Sequence, residues 1–253
     1  MQEEEYYALG IPGLDAALGG GVLRNAIILI SFEPGSEEWA FGSEIIRNSL
    51  LRDEYVIHVD YDHSPDYYLN SFLGLNSEAA EVQDKLKQKY SSGRIKFIDC
   101  FTTEASQGKV KSESDDSILV DNPYNLSKLL FTMKQVRDSI PSGASVKWVF
   151  SNITSMSINL GIQDVIKFCR SAFRLHKQMN DQAIYYVNRG AHLTQFLSLI
   201  YQLVDVIVEL KNKEVNNRMI TFLRVVKNQF KDHISSDLGY KVDRGKVIIS
   251  ILK

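Results

Sequence analysis

The sequence predicts an α/β fold: a mainly parallel central sheet with helices on both faces, finished by an antiparallel edge at its C-terminal end. Three observations lead there. Short β-branched runs alternate with longer amphipathic runs as far as residue 203. The first strong apolar run, AIILIS, leads into a turn, FEPGS, and then a helical stretch, EEWAFGSEIIRNSL. After Val204 the alternation stops, and strand-like runs follow one another with no helix between them, as at an antiparallel edge.

In chain order, the strands are expected at Ala26–Ser31, Tyr55–Asp60, Ile95–Asp99, Val146–Ser151, Ala183–Val187 and Val204–Leu210, each rich in β-branched or aromatic residues. Helices are expected between them, at Glu37–Leu51, Glu78–Lys89, Pro123–Ile140, Gln163–Met179 and Leu193–Gln202. In the fourth, Val165, Phe168, Cys169, Ala172, Phe173 and His176 recur at three- and four-residue spacing, so one stripe faces the sheet. His176 then reads as a core-edge histidine rather than a ligand. Arg218–Val226 and Lys246–Leu252 read as the antiparallel C-terminal edge hairpin. The polar stretch Thr102–Asp121 is expected to be a long loop with a mobile middle. With no internal repeat and no Gly/Ser- or Pro-rich linker, residues 1–253 are expected to form a single domain.

A chain of 253 residues, 44% hydrophobic and 24% charged, can bury one large core. No apolar run approaches the roughly 18–20 residues a bilayer demands. The start MQEEEYYALG is acidic where a signal peptide is basic and then apolar. A cytoplasmic protein with no membrane partner is therefore expected. The two cysteines, Cys100 and Cys169, offer neither a disulfide framework nor metal-ligand spacing, so buried inert thiols and no metal site are expected. The net charge of −2 is uneven. From Val204 onward ten Lys or Arg stand against six Asp or Glu, leaving the first 203 residues acidic. Such a split suits either partner recruitment or an ordinary solvated surface. A pI near 6.2 makes nucleic acid an unexpected ligand.

A strand–turn–helix unit is where a phosphate-binding loop sits, because backbone N–H groups and a helix N-terminus together cradle an anion. The segment GIPGLDAALGGGVLRNAIILISFEPGS closely resembles the opening of archaeal KaiC-like and RadA-like ATPase domains, whose loop reads G-E-P-G-T-G-K-T. VIHVDYDHSP is similar to the family's second core strand with its acidic pair, and KWVFSNITSMSI to its metal-binding strand. NRGAHLTQFLSLIYQLVDVIVEL and MITFLRVVKNQF resemble its fifth-strand region and C-terminal hairpin. The resemblance implies a RecA-like three-layer α/β/α domain and an archaeal source.

Set against that pattern, the loop Phe32, Glu33, Pro34, Gly35, Ser36, Glu37, Glu38, Trp39 departs where phosphate chemistry is carried. Phe32 stands at the first glycine, Glu37 at the last glycine, Glu38 at the lysine and Trp39 at the Ser/Thr. At an effective dielectric of about 20, a unit charge pair near 4 Å is worth about 4 kcal/mol. Reversing its sign therefore removes about three decades of nucleotide affinity. Trp39 brings no hydroxyl to Mg²⁺, and at Glu37 the loop is expected to have reshaped, since the position exploits glycine's freedom. The resemblance also places Ser151 at the metal-site acid, Asp62 followed by His63 at the catalytic glutamate, and Lys227 with Gln229 at the Lys-x-Arg pair. These read as vestigial positions, with no catalytic or cofactor-binding set expected.

Two readings of the altered loop follow. In one, the aromatics Phe32, Trp39 and Phe41 plug the old nucleotide pocket while Glu33, Glu37 and Glu38 face solvent at a helix N-terminus. In the other, Phe32, Trp39, Phe41, Asp62, His63 and Ser151 form a mixed aromatic and acidic crevice that accepts a basic or apolar peptide of a partner, or a small molecule. The expected function is that of a non-catalytic regulatory or scaffolding module that binds a protein or itself, without a cofactor. The alternatives are an atypical ATP-binding protein or weak ATPase in signalling, using ATP and Mg²⁺, and a DNA-associated recombinase paralogue.

Overall fold

The computed structural model describes residues 5–73, 80–102 and 117–251. A small two-stranded sheet opens the chain, β1 (Tyr6–Tyr7) against β2 (Val22–Leu23), with helix α1 (Pro12–Ala17) between. The main chain of α/β units follows: β3 (Ile27–Phe32), α2 (Glu38–Leu51), β4 (Tyr55–Asp60), α3 (Pro65–Leu73), α4 (Ala80–Ser91), β5 (Ile95–Asp99) and β6 (Ser117–Leu119). Next come α5 (Leu126–Asp138), β7 (Val146–Ser151), α6 (Ile153–Ser157), α7 (Ile162–Met179), β8 (Gln182–Asn188) and α8 (Thr194–Leu203). Four strands finish the fold: β9 (Val206–Val215), β10 (Arg218–Asn228), β11 (Leu238–Asp243) and β12 (Lys246–Ile251).

The ten-stranded sheet runs β12-β11-β10-β9-β3-β8-β7-β4-β5-β6, parallel from β9 to β6 and antiparallel from β9 outward to β12. Alternation along each strand divides the core into two layers, because successive side chains point to opposite faces. Ile28, Ile30, Val56, Val149, Ile184 and Val208 face α1, α2 and α4. Ile27, Leu29, Ile57, Val59, Trp148 and Tyr185 face α5, α7 and α8. The expected three layers are therefore present, and both faces of the central strands are buried.

Three sequence expectations change. The stretch Thr102–Asp121 is not all loop: Ser117–Leu119 extends the sheet as β6, with Phe97 registered on Ser117 and Asp99 on Leu119. Its middle lies outside the described residues. The C-terminal edge is larger than one hairpin, since β11 inserts between β10 and β12, and β10 itself pairs with β9. A Leu-Gly-Tyr-Lys-Val-Asp alternation carries β11, but glycine and two charges mask it as a strand. His176 is fully buried rather than at the core's edge, its Nε2 2.7 Å from the Tyr185 hydroxyl, and burial pushes its pKa down to about 3.

Cys100 and Cys169 are buried and free, as expected. Burial pushes the Cys169 thiol up to about 12, which leaves it protonated and inert. Among the described residues no helix is long and apolar enough to cross a membrane.

Candidate functional site

The parallel strands β3, β4, β7 and β8 all point their carboxyl ends at one rim, where open α/β sheets build their sites. β3 ends at the buried Phe32, and residues 33–37 turn the chain into α2. The turn is held from both flanks. Asn212 donates its backbone N–H to the Glu33 carboxylate at 2.8 Å and its side-chain amide to the Pro34 carbonyl at 2.9 Å. On the other side, the Tyr240 hydroxyl donates to the Glu37 carbonyl at 3.1 Å.

Glu37 consequently holds φ 54° and ψ 39° at the N-cap of α2. The left-handed conformation costs a residue with a Cβ about 1–2 kcal/mol. Glu37 takes up a positive φ that glycine would adopt freely, with the chain on either side held by Asn212 and Tyr240.

Beyond this turn lies a crevice lined by Phe32, Glu38, Trp39, Gly42, Asp62, His63, Tyr68, Ser151, Asn152 and Tyr186. Its free volume is about 30 Å³, room for roughly two water-sized groups. Among the described residues lining it there is no Lys or Arg.

The acid ladder behind the crevice begins at Asp60, the last residue of β4. Its Oδ1 accepts from the backbone N–H of Asp62 at 2.7 Å and of His63 at 3.1 Å, which closes the turn and aims both side chains at the rim. Asp62 accepts from Asn152 Nδ2 at 2.5 Å and from the Ser155 hydroxyl. Burial nonetheless raises its pKa, and the neighbouring Asp60 adds to the rise. Glu38 is raised as well, first by burial and then by Asp62. His63 stacks on Tyr67 with ring centroids 4.3 Å apart. The Asp60 carboxylate, 3.8 Å from His63 Nδ1, holds its pKa above the usual histidine value. His58, fully buried below, has its pKa pushed down to about 4 by burial, and its Nε2 lies 3.4 Å from Ser151 Oγ. It is a neutral packing group between Tyr68 and Phe97.

The structure brings Phe32, Trp39, Asp62, His63 and Ser151 of the crevice reading together, and Glu38 with them. Phe41 does not join them: it is fully buried in the core near Tyr240. The solvent-facing expectation holds for Glu37 but not for Glu38, which is half-buried in the crevice wall. Glu33 is half-buried as well, pinned by Asn212. Glu33, Pro34, Gly35 and Ser36 form the turn itself rather than the crevice wall.

Lys227 donates to the carbonyls of Tyr201 at 3.2 Å and Val204 at 2.5 Å, so it caps the C-terminal end of α8 in its own domain. Gln229 donates to Asp205. Sequence reasoning missed Gly42, Tyr68, Asn152, Ser155 and Tyr186. The available signal was a hydroxyl or amide at a strand end or inward strand position, as in Ser151–Asn152 and Tyr186.

Among the described residues no group of three or more His, Cys, Asp or Glu is placed to hold a metal ion. A family model described as "ATPase: KaiC" matches residues 7–253. A UPF0273 protein of Pyrococcus horikoshii is 24% identical over 150 residues, 59% of this chain and 55% of that protein. One from Thermotoga maritima is 30% identical over 95 residues, 37% of this chain and 36% of that one. This chain thus spans about half the length of the relatives it matches. A KaiC-like protein of Pyrococcus horikoshii, solved by crystallography, superposes with a TM-score of 0.76 at 13% identity, covering 97% of this chain and 99% of its own. It shares the three-layer arrangement and the mainly parallel sheet with antiparallel edge strands. With nearly its whole length matched, the chain belongs to the KaiC family of the RecA superfamily.

Proposed function

We propose that this chain is a KaiC-family domain that has lost ATP hydrolysis and acts in the cytoplasm by binding a protein partner or a second copy of itself. The observation that carries the reading is the donor set of the crevice. Glu38 and Asp62 face a space of about 30 Å³ with no lining Lys or Arg among the described residues. A Mg-nucleotide does not fit that set. Its phosphates would meet two desolvated carboxylates, and a repulsion of even 4 kcal/mol takes about three decades from the affinity.

Isothermal titration of the protein with Mg-ATP and Mg-ADP tests this. No binding is expected up to millimolar nucleotide; micromolar binding of either overturns the reading.

One observation favours a weak ATPase instead: Asp62 has a raised pKa, which suits a general base. Against it, Asp62 is engaged by Asn152 and Ser155, and Lys227 is committed to the end of α8. Phosphate release that Asp62→Asn abolishes would establish that alternative.

The basic C-terminal region gives DNA binding less support than its charge suggests, because three of its ten cations are met locally. Lys213 and Arg224 pair with Asp237, and Lys211 lies 2.5 Å from Glu209.

A further inference from the structure

We propose that the crevice is an acceptor for one primary ammonium group, held between the carboxylates of Glu38 and Asp62 against the Trp39 and Tyr68 rings, with the Tyr186 hydroxyl as a further acceptor. The inference rests on the reading that this site does not take ATP, and it names the chemistry the site takes instead.

Four observations converge. Two acids line the crevice without a lining Lys or Arg among the described residues; Asp62 raises the pKa of Glu38, Asp60 raises that of Asp62, and the His63 ring in the same wall offsets only part of the rise. A cation placed between them relieves that repulsion. Phe32, Trp39, Tyr68 and Tyr186 supply aromatic wall beside the polar Ser151 and Asn152, and ring faces attract an ammonium by their quadrupole. The free volume of about 30 Å³ accommodates an ammonium and its adjoining methylene, whereas a substituted planar guanidinium or a quaternary ammonium exceeds it.

The fourth observation is independent of the acids. Tyr186 is 3% exposed, lines the crevice and has no hydrogen-bond partner for its hydroxyl. Buried hydroxyls are ordinarily satisfied, so this one lacks a partner, and a ligand's N–H donated to its oxygen would supply one. The chain opposite is built to leave it space: a Cβ added at Gly42 would stand 3.0 Å from the Tyr186 oxygen.

The ammonium has two sources, a free alkylamine or the side chain of a lysine on a partner protein, and the test separates them. Trp39 lines the crevice while Trp148 is buried in the core, so tryptophan emission reports on the site. The full chain is titrated with n-propylammonium, tetramethylammonium, guanidinium, a blocked lysine tripeptide and its Nε-acetylated form, with Mg-ATP in a parallel arm.

Saturable binding of propylammonium is expected, with tetramethylammonium and guanidinium at least tenfold weaker. Binding of the lysine tripeptide, but not of its acetylated form, assigns the lysine side chain; binding of propylammonium alone assigns a small amine. Glu38→Gln is expected to weaken binding at least tenfold and Tyr186→Phe several-fold, with thermal melts confirming that both variants fold. Equal binding of the three cations, binding of the acetylated peptide, or no effect of Glu38→Gln in folded protein overturns the proposal. Absence of both ammonium and ATP binding overturns this inference alone, and ATP binding without ammonium binding overturns both readings.

Discussion

At the amino ends of the strands, acids stand just ahead of β4, β8 and β9, and each has a cation: Glu54 pairs with Lys147 at 3.1 Å, Asp181 with Arg137 at 2.7 Å and Asp205 with Lys177 at 2.6 Å. At the carboxyl ends, Glu38 and Asp62 meet at a crevice with no lining Lys or Arg among the described residues. The two rims share one sheet, but the acids of the first are buried and those of the second half-buried, and they differ in pairing. At the first rim buried charge is neutralised inside the domain and serves the fold. At the second, among the described residues, the charge meets only His63 and hydrogen-bond donors, and the proposed ammonium would supply the missing cation.

Breaking the pairing at the amino rim should give the largest effect. Lys147 is 2% exposed and also donates to the Ala8 carbonyl at 3.2 Å. Lys147→Met removes the buried cation from Glu54 and leaves it only the half-exposed Arg52, 3.1 Å away, so it should destabilise the protein by about 3 kcal/mol, the low end for breaking a buried pair. Urea unfolding at neutral pH measures it, and adding Glu54→Gln should recover more than half of the loss, since the orphaned charge goes with it.

The same lysine gives the amino rim a pH signature. Burial pushes its pKa down to about 8, although Glu54 pulls the other way. The unfolded chain, with a lysine pKa near 10.4, binds more protons between these values. Stability should therefore rise with pH across that window, by at most about 1.4 kcal/mol per pH unit. The slope should vanish in Lys147→Met; unfolding midpoints that rise equally in both proteins would detach the effect from this pair.

How legible the two rims were differs for a physical reason. Tyr55–Asp60, Ile95–Asp99 and Val146–Ser151 start and stop where the sequence places them, because strands buried on both faces need unbroken apolar runs between polar ends. The α7 stripe is readable for the same reason: burial dictates residue type at every third or fourth position. The helices α1 and α3 were not expected, since six and nine residues are too few for a period to declare itself.

At the site, alignment locates the loop, Asp62 and Ser151 because they occupy motif positions. Tyr68 on α3 and Tyr186 on β8 come from two further elements that meet the loop only in the folded protein, while Asn152 adjoins Ser151. Gly42, the space left for a tyrosine hydroxyl, looks in sequence like an ordinary helix flaw.

At the carboxyl rim the same kind of substitution should act in the opposite direction. The folded-state pKa of Glu38 is raised, so the folded protein binds more protons than the unfolded chain just above the ordinary glutamate range, and stability falls as pH rises through it. At neutral pH the charged side chain therefore works against folding. Glu38→Gln should leave the protein as stable as before or more stable by up to about 1 kcal/mol, and this gain should disappear in acid, where the carboxyl is protonated in both states. Thermal melts at neutral and acid pH read both outcomes. A loss of several kcal/mol would mean that Glu38 serves the fold as Glu54 does and that the two rims do not differ.

The smallest effect concerns the turn itself. Glu37 sits at φ 54° because Asn212 and Tyr240 hold the flanking chain. Glycine removes the about 1–2 kcal/mol left-handed penalty but returns about 0.5–1 kcal/mol of backbone entropy to the unfolded chain. Glu37→Gly should therefore stabilise by about 0.5 kcal/mol, measurable as a small rise in the urea midpoint. Because Glu37 is exposed and outside the crevice wall, ammonium binding should be unchanged. A fall in affinity without a fall in stability would show that the tension at Glu37 positions Glu38, which follows it on the first turn of α2, and would extend the binding rim back into the turn.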